Sequence, residues 1–412
     1  MRGVNHLGNR TLNVLHISDL HYAGDTWQEV DRCIRAVFQA AKHRVACVAI
    51  TGDSTDHRLD AHSAAFRALA QTVQMMASTT PVIMLQGTFS HEPEGTLELL
   101  GLVAPNVFVA SQLGQVALMS DGTWRRSTGY IFTEADFGEM SSSNTKVVFS
   151  ALPTLNKANV AAMVGNDDAS AAMGDAIAQV LQTFGIANAK FGEMGIATAL
   201  LSHGTVHGCV TEHGVPMHGA DHEYTSGMLF AARASATMLG HIHKQQTWEL
   251  AARKIAYAGS IACLHYGEKG EKGGLLWSLT PEGAEFEVIA SPTTRRVEFD
   301  FPDVPDMEVL KGTDVAGALV RLRYRVDWEH RLCVDDAALR AALVGASEIK
   351  IEPQILRIVR SRAEGIGSKT SDTERLLAWC GVTDTSPEGL EECLTQLAGK
   401  SADEIVAEAL AA

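Results

Sequence analysis

In the first 290 residues, five apolar segments each end in a short polar turn that carries aspartate, histidine or both. The segments are typical of buried β-strands, since their apolar residues are nearly continuous, as in a sheet covered on both faces. In α/β proteins, ligands bind outside the carboxyl ends of strands, where several turns converge. We therefore predict an α/β fold with a polar site at one sheet edge. The residues of the five turns are Asp19 and His21, Asp53, Ser90 and His91, His203, and His241 and His243.

A single turn of this kind is ambiguous. Asp19 and His21 follow the apolar run that starts at residue 12, and at this spacing they could hold one cation from the same side. A solvated turn after a core strand explains the same residues without any function. Each histidine, taken alone, is more often a surface residue or a hydrogen-bonded core residue. Five such turns in one chain favour a shared site over coincidence.

The ligand types narrow the chemistry. Carboxylate and imidazole groups without thiolates suit Mn²⁺, Fe²⁺, Mg²⁺ or Zn²⁺. Two neighbouring ions need a bridging carboxylate, because a shared anion offsets their repulsion. Asp53 is the natural bridge, since it stands alone at the tip of a central strand. The other ligands fall into two predicted groups, which are Asp19, His21 and His243 around one ion, and His203 and His241 around the other.

Composition bounds the remaining possibilities. The 412 residues are 46% hydrophobic, enough for a sizeable core. Seven scattered cysteines without a C-x-x-C pair, and an N-terminal segment without a signal-like hydrophobic stretch, lead us to expect a cytoplasmic protein. The sequence contains no run of 18 apolar residues, so we predict no membrane span. The net charge of −15 argues against a broad nucleic-acid-binding surface, although a local groove charged by metal ions remains open.

The motif series D-x-H, G-D, G-x-x-(N)-H-(D/E), H-G and G-H-x-H resembles the calcineurin-like metallophosphoesterases. The stretches L-H-I-S-D-L-H, T-G-D-S-T-D, L-G-H-I-H-K and I-A-Y-A-G-S-I are most similar to SbcD-type DNA repair nucleases, including phage relatives. The resemblance covers residues 12 to about 290, and more loosely the segment to about 365. It implies a four-layer β-sandwich flanked by helices (1–290), a small α+β cap domain that faces DNA (291–365) and a C-terminal helical tail (366–412).

The resemblance also implies roles for individual residues. The six Asp and His ligands would hold two divalent ions, Mn²⁺ first among the candidates, while His91 would stabilise or protonate the leaving oxygen. Ser90 stands where most of the superfamily has Asn, so the second ion would be bound through water or more loosely. Glu92 replaces the usual Asp and is expected to keep a hydrogen bond to His91. Replacing Asp53 or His91 by Ala should lower turnover by orders of magnitude.

Two regions lie beyond the catalytic segment. Alternation places Arg321, Arg323 and Arg325 on one face of a predicted strand, which either is simply an amphipathic edge strand or presents arginines to a DNA backbone. The acidic tail carries three short helical patterns. These helices either dock on an SMC-like ATPase of the SbcC type, as the resemblance implies, or form an appended bundle that packs on the core.

Three functions therefore compete. The first is a metal-dependent DNA exo/endonuclease subunit, expected to be a homodimer, that acts in DNA repair with an SMC-like ATPase. The second is a small-molecule or cyclic-nucleotide phosphodiesterase on the same core. The third is a non-catalytic scaffold in which Ser90 marks a decayed site. The roughly 120 residues beyond the core favour the first function, and the intact set of six ligands argues against the third.

Overall fold

A computed structural model describes residues 11–57, 59–155, 173–216, 223–268, 270–356 and 365–411. Its strands, in chain order, are β1 (Leu12–Ile17), β2 (Cys47–Thr51), β3 (Val82–Leu85), β4 (Val107–Ala110), β5 (Gly114–Met119), β6 (Trp124–Arg126), β7 (Thr145–Leu152), β8 (Ala197–His203), β9 (Thr205–Val206), β10 (Glu223–Tyr224), β11 (Ala236–Gly240), β12 (Gln246–Leu250), β13 (Arg253–Tyr257), β14 (Gly273–Leu279), β15 (Ala284–Ala290), β16 (Arg296–Phe301), β17 (Leu319–Asp327) and β18 (Glu348–Leu356).

The α-helices of the described residues are α1 (Trp27–Ala41), α2 (Ala64–Ala77), α3 (Thr96–Gly101), α4 (Glu134–Glu139), α5 (Met173–Glu193), α6 (Ser226–Ala231), α7 (Met307–Gly312), α8 (Asp336–Ala342), α9 (Asp372–Thr383), α10 (Leu390–Leu397) and α11 (Ala402–Ala411). Two short 3₁₀ turns, Trp328–His330 and Ile366–Ser368, complete the regular structure. In the part of the chain that is described, no helix combines the length and apolar character needed to cross a bilayer.

Two large sheets form the centre of the molecule. The first has the order β15-β14-β1-β2-β3-β4, and its strands β1 to β4 run parallel. The second has the order β12-β13-β11-β8-β7-β5-β6, with β7, β8, β11 and β13 parallel. Parallel strands place their carboxyl ends at the same edge of a sheet. The polar turns predicted from the sequence therefore gather at one edge of each sheet.

The sheets pack face to face, and helices cover both outer faces. Val14, Ile83 and Trp277 of the first sheet share a buried cluster with Phe149 and Met238 of the second. On the outer face of the first sheet, a separate cluster joins its strands to the apolar sides of α1 and α2. On the outer face of the second, another cluster joins its strands to α5 and α6. The order helix, sheet, sheet, helix confirms the predicted α/β sandwich.

A third, three-stranded sheet follows the sandwich in the chain. Its order is β16-β17-β18, so β17 is the central strand and not the edge strand considered from the sequence. Leu322, Tyr324 and Val326 of β17 are buried against α7 and α8. As predicted by the alternation, Arg321, Arg323 and Arg325 lie on the opposite side, which we call the arginine face.

The predicted division of the chain at residues 290 and 365 stays a prediction. The third sheet begins at Arg296, soon after the first boundary, while residues 357–364 near the second lie outside the described residues. Helices α9, α10 and α11 coincide closely with the three helical patterns of the tail. They expose several apolar side chains, which are Leu377, Val382, Leu397, Val406 and Leu410.

Candidate metal centre

The polar turns of the two sheets meet at one end of the sandwich. Asp19 and Asp53 follow β1 and β2 of the first sheet, whereas His203 ends β8 and His241 follows β11 of the second. The backbone N–H of His241 donates a hydrogen bond to the Asp19 carboxylate at 2.9 Å, which ties the two sheets together at this point. Residues more than 200 positions apart in the chain are thereby brought into contact.

The backbone at this edge is strained. Asp19, His21, Asp53 and His241 have φ values of 50°, 44°, 51° and 101°. They are four of the eight non-glycine residues with positive φ among the described residues. This region of φ disfavours side chains that carry a Cβ, at a cost of about 1 to 2 kcal/mol per residue. Strain concentrated on the predicted ligands indicates that their positions serve more than folding.

Two glycines allow the close approach of the turns. A Cβ on Gly52, whose φ is 91°, would overlap Nδ1 of His203. A Cβ on Gly87 would overlap the backbone nitrogen and Oδ1 of Asp53. Glycine is therefore required at both positions for these turns to pack directly against the ligands.

The first ligand group consists of Asp19, His21 and His243, whose ligand atoms all lie within 4.8 Å of one another. Nε2 of His21 lies 3.0 Å from Nε2 of His243. Burial lowers the pKa of His21 to about 4 and holds the pKa of His243 well below its usual value, so both rings are neutral near pH 7. Two nitrogens bound at about 90° to one ion at about 2.1 Å would be about 3 Å apart, which matches this pair.

The second group consists of Asp53, His203 and His241, again within 4.8 Å of one another. His203 Nδ1 lies 2.8 Å from the carbonyl oxygen of Thr51, to which it donates, so Nε2 is left to face the group. That Nε2 lies 3.3 Å from Oδ2 of Asp53, and the same oxygen lies 3.9 Å from Nε2 of His21. Asp53 Oδ2 thus stands between the two groups, in the position predicted for a bridging carboxylate.

Without a cation, the negative charges of the Asp19 and Asp53 carboxylates are neutralised only in part. Burial raises the pKa of Asp19 to about 7, although the charge of His203 opposes the shift. Burial would also raise the pKa of Asp53, but the adjacent His203 brings it below its usual range. Although burial alone would lower the pKa of His203, the charge of Asp53 raises it to about 10. One imidazolium therefore partly neutralises two buried carboxylates.

The donor set fits a divalent metal site. Nε2 of His241 and Nδ1 of His243 are buried atoms without a hydrogen-bond partner among the described residues. Burial lowers the pKa of His241 to about 4, so its nitrogen offers a lone pair near pH 7. Leaving a buried polar atom unpaired costs about 1 to 3 kcal/mol, a cost that coordination of a cation by Nε2 of His241 would remove. His243 would bind through Nε2, so its Nδ1 would stay unpaired. The Asp and His clusters fit a divalent metal site, and the individual ligand roles stay predictions.

His91 lies beside both groups without sharing their burial. Its ligand atom is within 4.8 Å of those of His21 and Asp53. Its Nδ1 lies 3.2 Å from the His57 amide nitrogen and 3.3 Å from Oδ1 of Asp56. Nδ1 accepts the hydrogen bond from the His57 amide, and the Asp56 carboxylate lies beside the same nitrogen. Sequence reasoning did not assign Asp56 a role, although it stands only three residues after Asp53.

The prediction of a hydrogen bond between Glu92 and His91 is wrong. The Glu92 carboxylate is fully buried and accepts hydrogen bonds from the backbone amides of Ser54 and Gly87, at 2.5 and 2.6 Å. Glu92 therefore fastens the turn after β2 to the turn after β3. Asp56 takes the position beside the imidazole that was predicted for Glu92.

The water-mediated or loose role of Ser90, in the turn after β3, stays a prediction. Ser90 is exposed in this turn, and no hydrogen bond within the described residues joins its side chain to the predicted ligands. Thr88 instead lies against the second group, with its hydroxyl 3.2 Å from Oδ2 of Asp53. A threonine three residues before His91 carried no recognisable signal in the sequence.

The arginine face is largely committed to internal contacts. Arg321 donates to Oε1 of Glu298 at 2.8 Å, and Arg323 pairs with the same oxygen. Arg321 also stacks over the ring of Tyr266, with its guanidinium carbon 4.6 Å from the ring centroid. Arg325 is exposed and contacts Gln354. Of the three predicted substrate-binding arginines, Arg325 is the one with the most accessible charge.

Comparison with known proteins finds no matching family profile and no matching curated protein. Solved structures resemble parts of the chain at low identity. GAP50, the anchor in the inner membrane complex of Plasmodium, is 11% identical, with 68% of this chain and 85% of that chain covered and a TM-score of 0.42. A dimetal phosphatase from Danio rerio is 12% identical, with 68% and 99% covered and a TM-score of 0.40. Phosphopantetheinyl hydrolase from Mycobacterium tuberculosis is 10% identical, with 61% and 90% covered and a TM-score of 0.32.

Fold and site together define an α/β sandwich protein with a candidate divalent-metal centre. The centre lies where the carboxyl ends of strands from both sheets meet. It contains two carboxylates and four imidazoles, and His91 lies beside them.

Proposed function

We propose that this chain is a metal-dependent phosphoesterase of the metallophosphoesterase superfamily. The observation that carries the proposal is the pair of buried ligand groups that meet at Oδ2 of Asp53. The strained backbone at four of the ligands and the unpaired Nε2 of His241 support it, because neither is needed to stabilise the fold. The motif series of the sequence supports the same class.

The chemistry follows from the charge of the substrate. When bound, two divalent ions would polarise the phosphoryl oxygens and lower the pKa of a water between them. Asp19, His21 and His243 would hold one ion, His203 and His241 the other, and Asp53 both. His91 would give a proton to the leaving oxygen, and Asp56 would stabilise its charged form. Proton donation of this type contributes about 10² to 10⁴ in rate.

Within this class we propose a Mn²⁺-dependent DNA exo/endonuclease that acts in DNA repair. The support is a continuous set of contacts from the metal centre to the arginine face. The ring of His265 stacks on that of His243, at 6.2 Å between centroids, and the next residue, Tyr266, lies under Arg321. A polyanion that extends from the centre along these residues would meet positive charge.

A small-molecule or cyclic-nucleotide phosphodiesterase is the second candidate. It is favoured by Glu298, whose carboxylate pairs with both Arg321 and Arg323 and so reduces the charge available to a long polyanion. A small ester would need the metal centre and His91 but not the arginine face. The two functions therefore differ in what the third sheet does.

One assay separates these candidates from a non-catalytic scaffold. The purified full chain would be incubated with Mn²⁺ and, in parallel, with labelled single- and double-stranded DNA, bis-p-nitrophenyl phosphate and cyclic AMP. Cleavage of DNA that stops with chelator and in D53N supports the nuclease. Cleavage restricted to the small esters would overturn the nuclease and leave the phosphoesterase. Absence of all cleavage in protein that binds two ions would favour the scaffold.

We also propose partners from the resemblance. Helices α9, α10 and α11 present exposed apolar residues, among them Leu377 and Leu397, and would dock on an SMC-like ATPase of the SbcC type. The nuclease would act as a homodimer. Co-purification with and without residues 366–412 tests the first proposal, and sedimentation of the full chain tests the second.

A further inference from the structure

We propose that the hydroxyl of Thr88 is an oxygen ligand of the second ion, the one assigned to Asp53, His203 and His241. The inference rests on the metal centre of the proposed function. It replaces the weak or water-mediated role expected for Ser90 with direct coordination by a different residue. It also gives the second ion a neutral oxygen that differs from the charged carboxylate of Asp19 in the first group.

The backbone around Thr88 is held from two sides. The N–H of Thr88 donates to Oδ1 of Asp53 at 2.7 Å, and the N–H of Gly87 donates to Oε2 of buried Glu92 at 2.6 Å. The absence of a Cβ at Gly87 lets this turn lie directly on Asp53. The position of the Thr88 hydroxyl is therefore set by contacts of its own main chain with a predicted ligand.

Three atoms then form a nearly equilateral triangle. Thr88 Oγ1 lies 3.2 Å from Oδ2 of Asp53 and 3.3 Å from Nε2 of His203. The third side, between Nε2 of His203 and Oδ2 of Asp53, is also 3.3 Å. Ligand atoms about 2.1 to 2.3 Å from one ion and at about 90° are separated by about 3.0 to 3.3 Å. The triangle has the dimensions of one face of an octahedral shell.

The hydrogen bonds of the hydroxyl are consistent with coordination. A hydroxyl has one hydrogen and two lone pairs. The hydrogen can be donated to the carboxylate oxygen of Asp53, which leaves a lone pair for a cation. Nδ1 of His203 is occupied by the Thr51 carbonyl, so the imidazole presents Nε2 to the same point. Three donors are thus aimed at one position.

The two sites should therefore differ in their affinity for the cation. A neutral hydroxyl binds a hard cation more weakly than a carboxylate, so the second ion should bind less tightly than the first. The sequence offers a matched comparison, because Thr88 and Ser90 are two hydroxyls of the same turn. T88V removes the Thr88 hydroxyl with little change of volume, T88S retains it, and S90A removes the other one.

The test is a titration of the full-length, metal-free chain with Mn²⁺, monitored by calorimetry and by electron paramagnetic resonance of Mn²⁺. Wild type should bind two ions. T88V should weaken the second by at least about 10-fold and the first by less than about 2-fold, while T88S and S90A should resemble wild type. Thermal unfolding of the metal-free variants should coincide, which separates loss of a ligand from loss of fold.

Three results would overturn the inference. Unchanged binding of both ions by T88V would show that the hydroxyl is not a ligand. Equal weakening of both ions by T88V would show that it acts only by orienting Asp53, which both groups share. Loss of the second ion in S90A would assign the ligand to Ser90. If wild type itself binds fewer than two ions, the proposed metal centre fails first, and that outcome is recognisable without any variant.

Discussion

The metal centre and the arginine face differ in whether folding alone accounts for their polar groups. On the arginine face, Arg321 and Arg323 have a carboxylate partner in Glu298, and Tyr266 covers part of Arg321, although Nε of Arg323 is a buried atom without a partner among the described residues. In the metal centre, buried imidazole nitrogens of His241 and His243 remain unpaired and the backbone of four ligands is strained. The arginines can be explained as a paired sheet surface. The predicted ligands form a cluster that fits a divalent metal site.

This difference shows which sequence patterns deserve a functional interpretation. Charged residues that alternate along a strand are satisfied by neighbours on the adjacent strands, as Arg321 is by Glu298. The Asp and His residues at the strand ends lie mainly against one another, and their other contacts, such as those of Asp53 with Thr88 and of His203 with the Thr51 carbonyl, leave Nε2 of His241 unpaired among the described residues.

The largest effect is expected for Asp53. D53N keeps the shape of the side chain but removes the charge shared by the two ligand groups, so both ions should be lost and phosphodiester hydrolysis should fall by at least about 10³-fold. Hydrolysis of bis-p-nitrophenyl phosphate with Mn²⁺ measures the loss. D121N, at an exposed turn between β5 and β6, is the matched control and should retain activity. Full activity in D53N would remove Asp53 from the centre.

His91 should affect turnover without affecting the ions. H91Q removes the proton donor but none of the six predicted ligands, so kcat should fall by about 10² to 10⁴ while two Mn²⁺ ions still bind. Steady-state kinetics and Mn²⁺ titration on the same preparation provide both values. The exposed His62 provides the control H62Q. Loss of an ion together with turnover would contradict the proposed role, because His91 would then be a ligand.

His16 tests the opposite case, a buried histidine that is fully paired. Its Nε2 contacts the Thr51 hydroxyl at 2.8 Å, and its Nδ1 accepts from the Trp277 indole at 3.4 Å. Burial lowers its pKa to about 3 in the folded chain, whereas an unfolded histidine titrates near 6.5. As pH falls below about 6.5, protons bind only the unfolded chain, so stability falls until pH reaches about 3.

Between these two pH values, titration of His16 alone should change the free energy of unfolding by about 1.4 kcal/mol per pH unit. Urea unfolding of wild type and H16Q at pH 7, 6 and 5 isolates it, because the other histidines are common to both proteins. Wild type should be the more stable at pH 7, and its advantage should shrink by about 1 kcal/mol between pH 6 and 5. Parallel stability curves would contradict the assignment of His16 as a buried neutral residue.

The smallest effect is expected on the arginine face. R325Q removes the most accessible charge there and should weaken DNA binding by a few-fold, with a salt dependence smaller by about one counterion. E298Q should strengthen binding slightly, because it frees Arg321 and Arg323. Cleavage of a small ester should not change in either variant. R340Q, whose arginine pairs with Asp336 on α8, is the control for general charge.

Fluorescence anisotropy with labelled DNA at several salt concentrations measures these changes. Identical affinity of R325Q, E298Q and wild type would show that the third sheet does not contact DNA. Of the two regions compared, only the metal centre would then have a proposed function. Weaker binding by R340Q as well would indicate nonspecific attraction in place of a binding face.

The strands that end at the site and the six predicted ligand residues were accessible from sequence because each is a local pattern. A buried strand and the Asp or His that follows it are adjacent in the chain, as with β2 and Asp53. Contacts made across turns were not accessible. Thr88 rather than Ser90 contacts Asp53, and Asp56 rather than Glu92 contacts His91, because the turn after β3 takes an irregular course. The pairing of the arginines with Glu298 likewise depends on the register of β16 and β17.

The central claim is that two cations share Asp53 at the edge where the two sheets meet. Anomalous X-ray diffraction from crystals soaked in MnCl₂, recorded above and below the manganese absorption edge, tests it directly. The account predicts two manganese peaks about 3.5 to 4 Å apart, one on each side of Oδ2 of Asp53. A map with no manganese at Asp53, in crystals of folded protein, would contradict it.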